Sequence, residues 1–133
     1  MIITPIQIRF NDMDPMGRVN NATYSSYLEL GRLDFCNKYI AIRELNDIPF
    51  VLVRIEMDIK RSLRPLHKAE VRTWVSRIGE TSWDFNYSII DSDSQQVEYV
   101  HAKSVQVFYN YRLDRKEPIP ESFRSFLVAE FQD

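Results

Sequence analysis

F-N-D-M-D-P-M-G-R-V-N-N-A-T-Y-S-S-Y-L-E-L-G-R, residues 10–32, joins two periodicities through a polar loop. Upstream, Ile6, Ile8 and Phe10 alternate with polar neighbours, the period of a half-buried strand. Downstream, Tyr24, Tyr27, Leu28, Gly31 and Phe35 recur at steps of three and four, the spacing of one helix face. Asp12, Asp14, Pro15 and Gly17 supply turn chemistry, and Asn20 or Asn21 can cap the helix that follows. A carboxylate, Asp14, therefore stands just ahead of a helix N-terminus, whose free N–H groups and partial positive charge can hold a developing oxyanion. Such a pair can run acyl chemistry. Taken on spacing alone, the same residues also serve as an ordinary turn and cap.

Working outward, the pattern predicts strands over 2–10, 50–62, 69–78, 81–90 and 97–109. The clearest alternation runs from Val51 through Val53, Ile55, Met57 and Ile59, the signature of a long half-buried strand. The helix spans about 21–40, a connection with one short helical turn follows over 41–49, and Gly79-Glu80 makes a tight reversal. Gly31 lowers helix propensity, and in return it lets a strand or a partner's backbone come close. Pro118 and Pro120 halt regular structure before a short amphipathic helix over 121–131, with Phe123, Phe126, Leu127 and Phe131 at helical spacing. A helix of about 18 residues is about 27 Å long, enough to cross a small sheet. An antiparallel sheet curled around it is the economical way to bury it, an α+β arrangement.

The 133 residues fit a single domain spanning 1–133 with a real core. A net charge of -2 lacks the basic excess of nucleic-acid binders. No apolar run reaches the length of a membrane span, the N-terminus lacks the form of a signal peptide, and Cys36 has no second cysteine to pair with. A cytoplasmic setting with an inert, buried Cys36 thiol is the expectation. His67 and His101 lack the acidic or thiol neighbours of a metal site, so neither a metal nor another cofactor is expected.

The run Asp12, Asp14, Gly17, Val19, Asn20, Asn21, Tyr24, Tyr27, Glu29 and Arg32 resembles, in register, the signature of hotdog-fold thioesterases of the 4-hydroxybenzoyl-CoA thioesterase-like group. The resemblance implies the hotdog fold over essentially the whole chain, and acyl-CoA thioester hydrolysis without metal or redox cofactor. It implies that Asp14 is the catalytic carboxylate, as nucleophile or general base, and that an early helical N–H, near Asn21 to Thr23, polarises the carbonyl. It also implies a homodimer with sheets joined edge to edge, or a tetramer built from two such dimers, and an active site between subunits. Many relatives carry His where this chain has Arg18. Guanidinium stays protonated, so Arg18 cannot act as base. It can bind a substrate carboxylate or phosphate, or be a solvated loop charge.

Further expectations concern the substrate path. Gly17 and Asn20 belong to the loop that would meet the substrate. Tyr24, Tyr27 and Trp83 are candidates for the acyl pocket. Lys60, Arg61, Arg64, His67 and Lys68 form a patch that can dock coenzyme A phosphates or simply charge a sheet edge. Glu29 and Arg32, three apart on one helix, can pair. Two rival readings keep the fold: a thioesterase acting on an acyl-carrier protein, and a non-catalytic binder of acyl thioesters, motivated by Met16 and Arg18.

Overall fold

The computed structural model describes all 133 residues. In chain order the elements are β1 (Ile2–Ile6), α1 (Thr23–Tyr39), β2 (Phe50–Ile59), β3 (Ala69–Ile78), β4 (Ser82–Asp91), β5 (Glu98–Asn110), β6 (Arg115–Lys116) and α2 (Glu121–Ala129). The sheet runs β1-β3-β4-β5-β2 with every neighbour antiparallel, and the two-residue β6 pairs with the end of β5. The sheet curls around α1, whose buried face is Tyr24, Tyr27, Leu28, Gly31, Arg32, Phe35 and Cys36. This is the hotdog fold, with α2 as the short C-terminal helix.

Close approach between helix and sheet depends on Gly31. A Cβ there would collide with Thr73 Oγ1 and press on Val71 Cγ1, both on β3. The expected strand approach is therefore present, and a larger side chain would push α1 off the sheet. Behind it lies an aromatic cluster in which Trp83, Phe85, Phe35 and Phe123 pack edge-on or tilted, with ring centroids 5.0 to 6.1 Å apart. Trp83 is fully buried there. Its place in the core replaces its expected place in an acyl pocket. α2 closes this end with Phe123 and Leu127.

Glu130, 2 % exposed, ties both ends of the chain to α1. Its carboxylate accepts from the Met1 ammonium at 2.6 Å, from Lys38 Nζ at 2.8 Å and from the Tyr39 hydroxyl. Burial alone would raise its pKa, but the bonds from Lys38, the N-terminus and Tyr39 outweigh that and hold it at about 2.

Two sequence expectations are corrected. The first strand ends at Ile6 rather than at Phe10, because the Asp12 carboxylate takes the Arg9 N–H at 2.8 Å and folds residues 10–12 into a 3₁₀ turn. Phe10 is left 92 % exposed. β2 is a strand as its alternation predicts, but within one chain it is not half-buried. It is the outer strand beyond β5, and its register shifts between Leu52 and Arg54, which breaks the alternation of faces. Leu52, Val53, Ile55 and Ile59 are exposed. No helix is long and apolar enough to cross a membrane.

Candidate active site

The loop ahead of α1 is a tight reversal pinned at its base by a bridge between Met13 and Val19. Gly17, with φ at +77°, provides the left-handed residue that closes it. Inside the turn the Asp14 N–H donates to the Arg18 carbonyl at 2.7 Å, and the Gly17 N–H donates to the Asp14 carbonyl at 3.2 Å. Asp14 Oδ1 then accepts the N–H groups of Met16 at 2.8 Å and Arg18 at 3.1 Å. Its second oxygen, Oδ2, has no partner in the chain. One carboxylate oxygen is thus fixed by backbone, which orients the free one.

The helix start sits opposite. α1 begins at Thr23, two residues later than the pattern predicts, and neither asparagine is its N-cap, which is Ala22 without a side-chain bond. Asn20 instead bends the chain into the helix. Its Oδ1 takes the Ala22 N–H at 2.9 Å and its carbonyl takes the Thr23 N–H at 2.9 Å. Of the three N–H groups from Asn21 to Thr23, only that of Asn21 donates to nothing within the chain. Asp14, Arg18, Val19, Asn20 and Asn21 line one cleft of about 480 Å³, completed by Ile59 at the end of β2 and Ser62 in the loop after it. No carboxylate of the chain pairs with the Arg18 guanidinium, which gives this cleft a positive wall.

The other anticipated residues lie elsewhere. Tyr24 is fully buried, and its hydroxyl accepts the Leu63 N–H at 3.0 Å. Tyr27, 3 % exposed, donates its hydroxyl to Asp12 Oδ2 at 2.8 Å, and burial followed by the Asp12 charge pushes its pKa up. Both tyrosines are framework around the cleft and not part of its wall. Gly17 shapes the loop without lining it. Arg61 and Arg64 stand exposed on the loop after β2, without a carboxylate partner, as does Lys68. Lys60 is already paired with Glu98 at 2.6 Å. His67 Nδ1 accepts the Arg64 N–H at 3.0 Å. Glu29 and Arg32 do not pair. Glu29 is exposed, whereas Arg32, 8 % exposed, turns inward and donates Nη1 to the Tyr87 hydroxyl at 3.2 Å. Cys36 is buried as expected, and burial pushes its thiol up to about 12. No three His, Cys, Asp or Glu side chains gather closely enough to hold a metal ion.

Leu63 is the positioning residue that the sequence pattern leaves silent. It is fully buried, its carbonyl accepts the Val19 N–H at 2.9 Å, and its own N–H goes to Tyr24. The loop after β2 is thereby clamped to the Asp14 loop and to α1 at once. Asp12 holds the other side. It is 2 % exposed and accepts from Tyr27, from the Arg9 N–H and from Arg9 Nη2. Burial pushes its pKa up, but the Arg9 and Tyr27 bonds together outweigh it and hold the carboxyl below its usual value.

The chain and its fold have likenesses among known proteins. The thioesterase-like superfamily profile matches residues 8–127. No curated protein matches the chain in sequence. Among solved structures, a protein of Bacillus stearothermophilus described as a predicted thioesterase superposes with a TM-score of 0.90 at 26% identity, over 99% of this chain and 97% of that one. A thioesterase of Thermus thermophilus, solved with coenzyme A and zinc, gives 0.85 at 26% identity over 96% and 92%. A candidate acyl-CoA thioesterase of Xanthomonas campestris gives 0.75 at 30% identity over 86% and 97%. The chain belongs to the thioesterase-like superfamily.

Proposed function

We propose that this protein hydrolyses an acyl-CoA thioester to the free acid and coenzyme A, with Asp14 as the catalytic carboxylate. The observation that carries this reading is the pairing, across one cleft, of an acid with one free oxygen and a backbone N–H with no acceptor. The thioester carbonyl oxygen accepts the Asn21 N–H, which stabilises negative charge as it develops there. As nucleophile, Asp14 Oδ2 adds to the carbonyl carbon, the C–S bond breaks, and coenzyme A leaves as thiolate and takes a proton. Water then cleaves the resulting anhydride and restores the carboxylate. As general base, Asp14 takes the proton of a water whose oxygen attacks instead. Mass spectrometry of enzyme quenched during a single turnover separates the two, since only the nucleophilic route passes through an acylated Asp14 after coenzyme A has left, whichever carbonyl the water then attacks.

The likeness to a thioesterase solved with coenzyme A supports the carrier. The exposed Arg61 and Arg64 beside Ser62, together with Arg18 in the cleft wall, suit its phosphates. Assembly enters the reading through β2. A long outer strand exposing Leu52, Val53, Ile55 and Ile59 is an aggregation hazard unless covered. Joining two β2 edges in a homodimer would cover it and continue the sheet, and two dimers could stack into a tetramer. Light scattering tests this: a stable monomer at micromolar concentration would remove the shared site. Asp14→Asn tests the chemistry. Turnover should fall by about a thousandfold while the fold and the assembly stay intact, and unchanged turnover would exclude the mechanism.

A further inference from the structure

Resting on the thioesterase reading, a second cavity points to the kind of acyl group accepted. It measures about 320 Å³ and is lined by Leu33, Cys36, Leu45, Ile48 and Phe50, with Glu29 and Arg32 as its polar members. Five of the seven lining residues are apolar, so water gains little there and hydrocarbon gains much. Yet the cavity also holds a guanidinium. Arg32 is 8 % exposed, and its sole hydrogen bond is the 3.2 Å contact to the Tyr87 hydroxyl.

That hydroxyl continues to Ser104 Oγ at 2.5 Å, so the network beneath Arg32 is made of neutral groups. No carboxylate lies within ion-pair distance of Arg32; Glu29 shares the cavity but is exposed and makes no ion pair with it. Removing a charge from water costs several kcal/mol unless a counter-charge or a set of acceptors replaces the lost hydration. Here the remaining Arg32 N–H groups have no acceptor in the chain and are not sealed off from the cavity. A single tyrosine hydroxyl leaves most of the five-donor fork unsatisfied.

We propose that Arg32 forms the floor of a subsite for the far end of the acyl group, selecting an oxygen-bearing end, with carboxylate above hydroxyl above methyl. A planar guanidinium meets a carboxylate through two parallel N–H···O bonds, and a hydroxyl through one. The apolar walls take the methylene chain. Arg32 lies nine residues beyond Thr23, about 14 Å along α1 from the helix start, so on this proposal it meets the far end of the acyl chain and not the atoms next to sulfur.

The test uses coenzyme A thioesters of six, eight and twelve carbons, each ending in methyl, hydroxyl or carboxylate. At the best length the native chain should show at least a tenfold higher kcat/KM for the carboxylate end than for the methyl end. Arg32→Met should bring that ratio to one or below by losing the carboxylate substrate alone. Arg32→Lys, which keeps the charge but not the fork, should fall between and covers the case in which the methionine variant does not fold. Glu29→Gln should leave or raise the ratio. Equal rates for the three ends in the native chain, or an equal loss across all ends in both Arg32 variants, would overturn the subsite while leaving thioester hydrolysis in place. If no thioester is turned over, the functional reading fails instead. Calorimetry with thioether analogues bearing the same three ends then judges the subsite: tighter binding of the carboxylate end supports it and equal binding overturns it.

Discussion

Asp12 and Asp14 are two residues apart in one loop, and the fold gives them opposite surroundings. Asp12 is sealed, 2 % exposed, with acceptors filled by Arg9 and Tyr27. Asp14 is half-buried, with one oxygen held by two backbone N–H groups and the other free on the side of a cleft. A buried carboxylate with three of its roughly four acceptor sites filled has little to lend to a substrate but holds its surroundings still. A half-saturated one at a cleft is aimed and still available. On the proposed reading, what separates a catalytic acid from a structural one is not the kind of side chain. The separation lies in how many of its lone pairs the fold has already used.

The largest expected effect follows from exchanging only the available acid. Asp14→Asn keeps the shape and can still accept from Met16 and Arg18, but it loses the nucleophile or base, so kcat should fall by about a thousandfold. The melting temperature should hardly move. A large fall in stability, with activity surviving in the folded fraction, would reverse the assignment of the two acids.

Asp12→Ala should give the converse result. It leaves the Tyr27 hydroxyl unpaired in a buried place and takes the acceptor from the Arg9 N–H, at a cost of about 3 kcal/mol in unfolding free energy. Activity in the folded fraction should decline less than in Asp14→Asn. Tyr27→Phe removes one partner of the same charge and should cost about 1.5 kcal/mol. The pH dependence has a fixed sign. The folded Asp12 carboxyl sits below the unfolded value of 3.8, so its stabilisation is complete above that value and is lost as pH falls through the folded one. Acid unfolding of the Tyr27→Phe variant, followed by circular dichroism, should therefore begin at a higher pH than in the native chain. Coincident acid transitions would show that Asp12 contributes nothing to the loop.

How much of this was legible depends on whether the deciding contact is local. β3 runs over Ala69–Ile78, the bounds its alternation and the Gly79-Glu80 reversal predict, because a hairpin is specified by neighbours in sequence. The Asp14 loop was legible for the same reason, since its turn bonds span two to four residues. Burial of β2 was not, because being an outer strand is a property of the whole sheet. Tyr24 and Tyr27 carry the spacing of a helix face, which says that they point inward. Their hydroxyl partners lie 39 and 15 residues away, beyond any pattern. Arg32 is the extreme case, bonded to Tyr87 at a separation of 55 residues although Glu29 stands one turn away. Leu63, an ordinary apolar residue after a strand, gives no signal that both its backbone groups fasten the site.

The smallest expected effect probes the ground between the two acids and the solvent. Arg61 and Arg64 are exposed on the loop that Leu63 anchors, so each gains at most about 1 kcal/mol from a substrate phosphate, and salt screens that gain. Arg61→Ala and Arg64→Ala should each raise KM for a coenzyme A thioester by about threefold with kcat unchanged, because a phosphate contact far from the carbonyl is made equally in ground and transition states. The penalty should shrink at high salt. It should also vanish for a short thioester lacking the nucleotide, such as an acyl pantetheine, and that substrate makes the measurement decisive. An equal loss on both substrates would mean that the arginines act by holding the loop, in the manner of Asp12. A loss confined to the nucleotide-bearing substrate places them with Asp14, among the groups that the fold leaves unsatisfied for a ligand to complete.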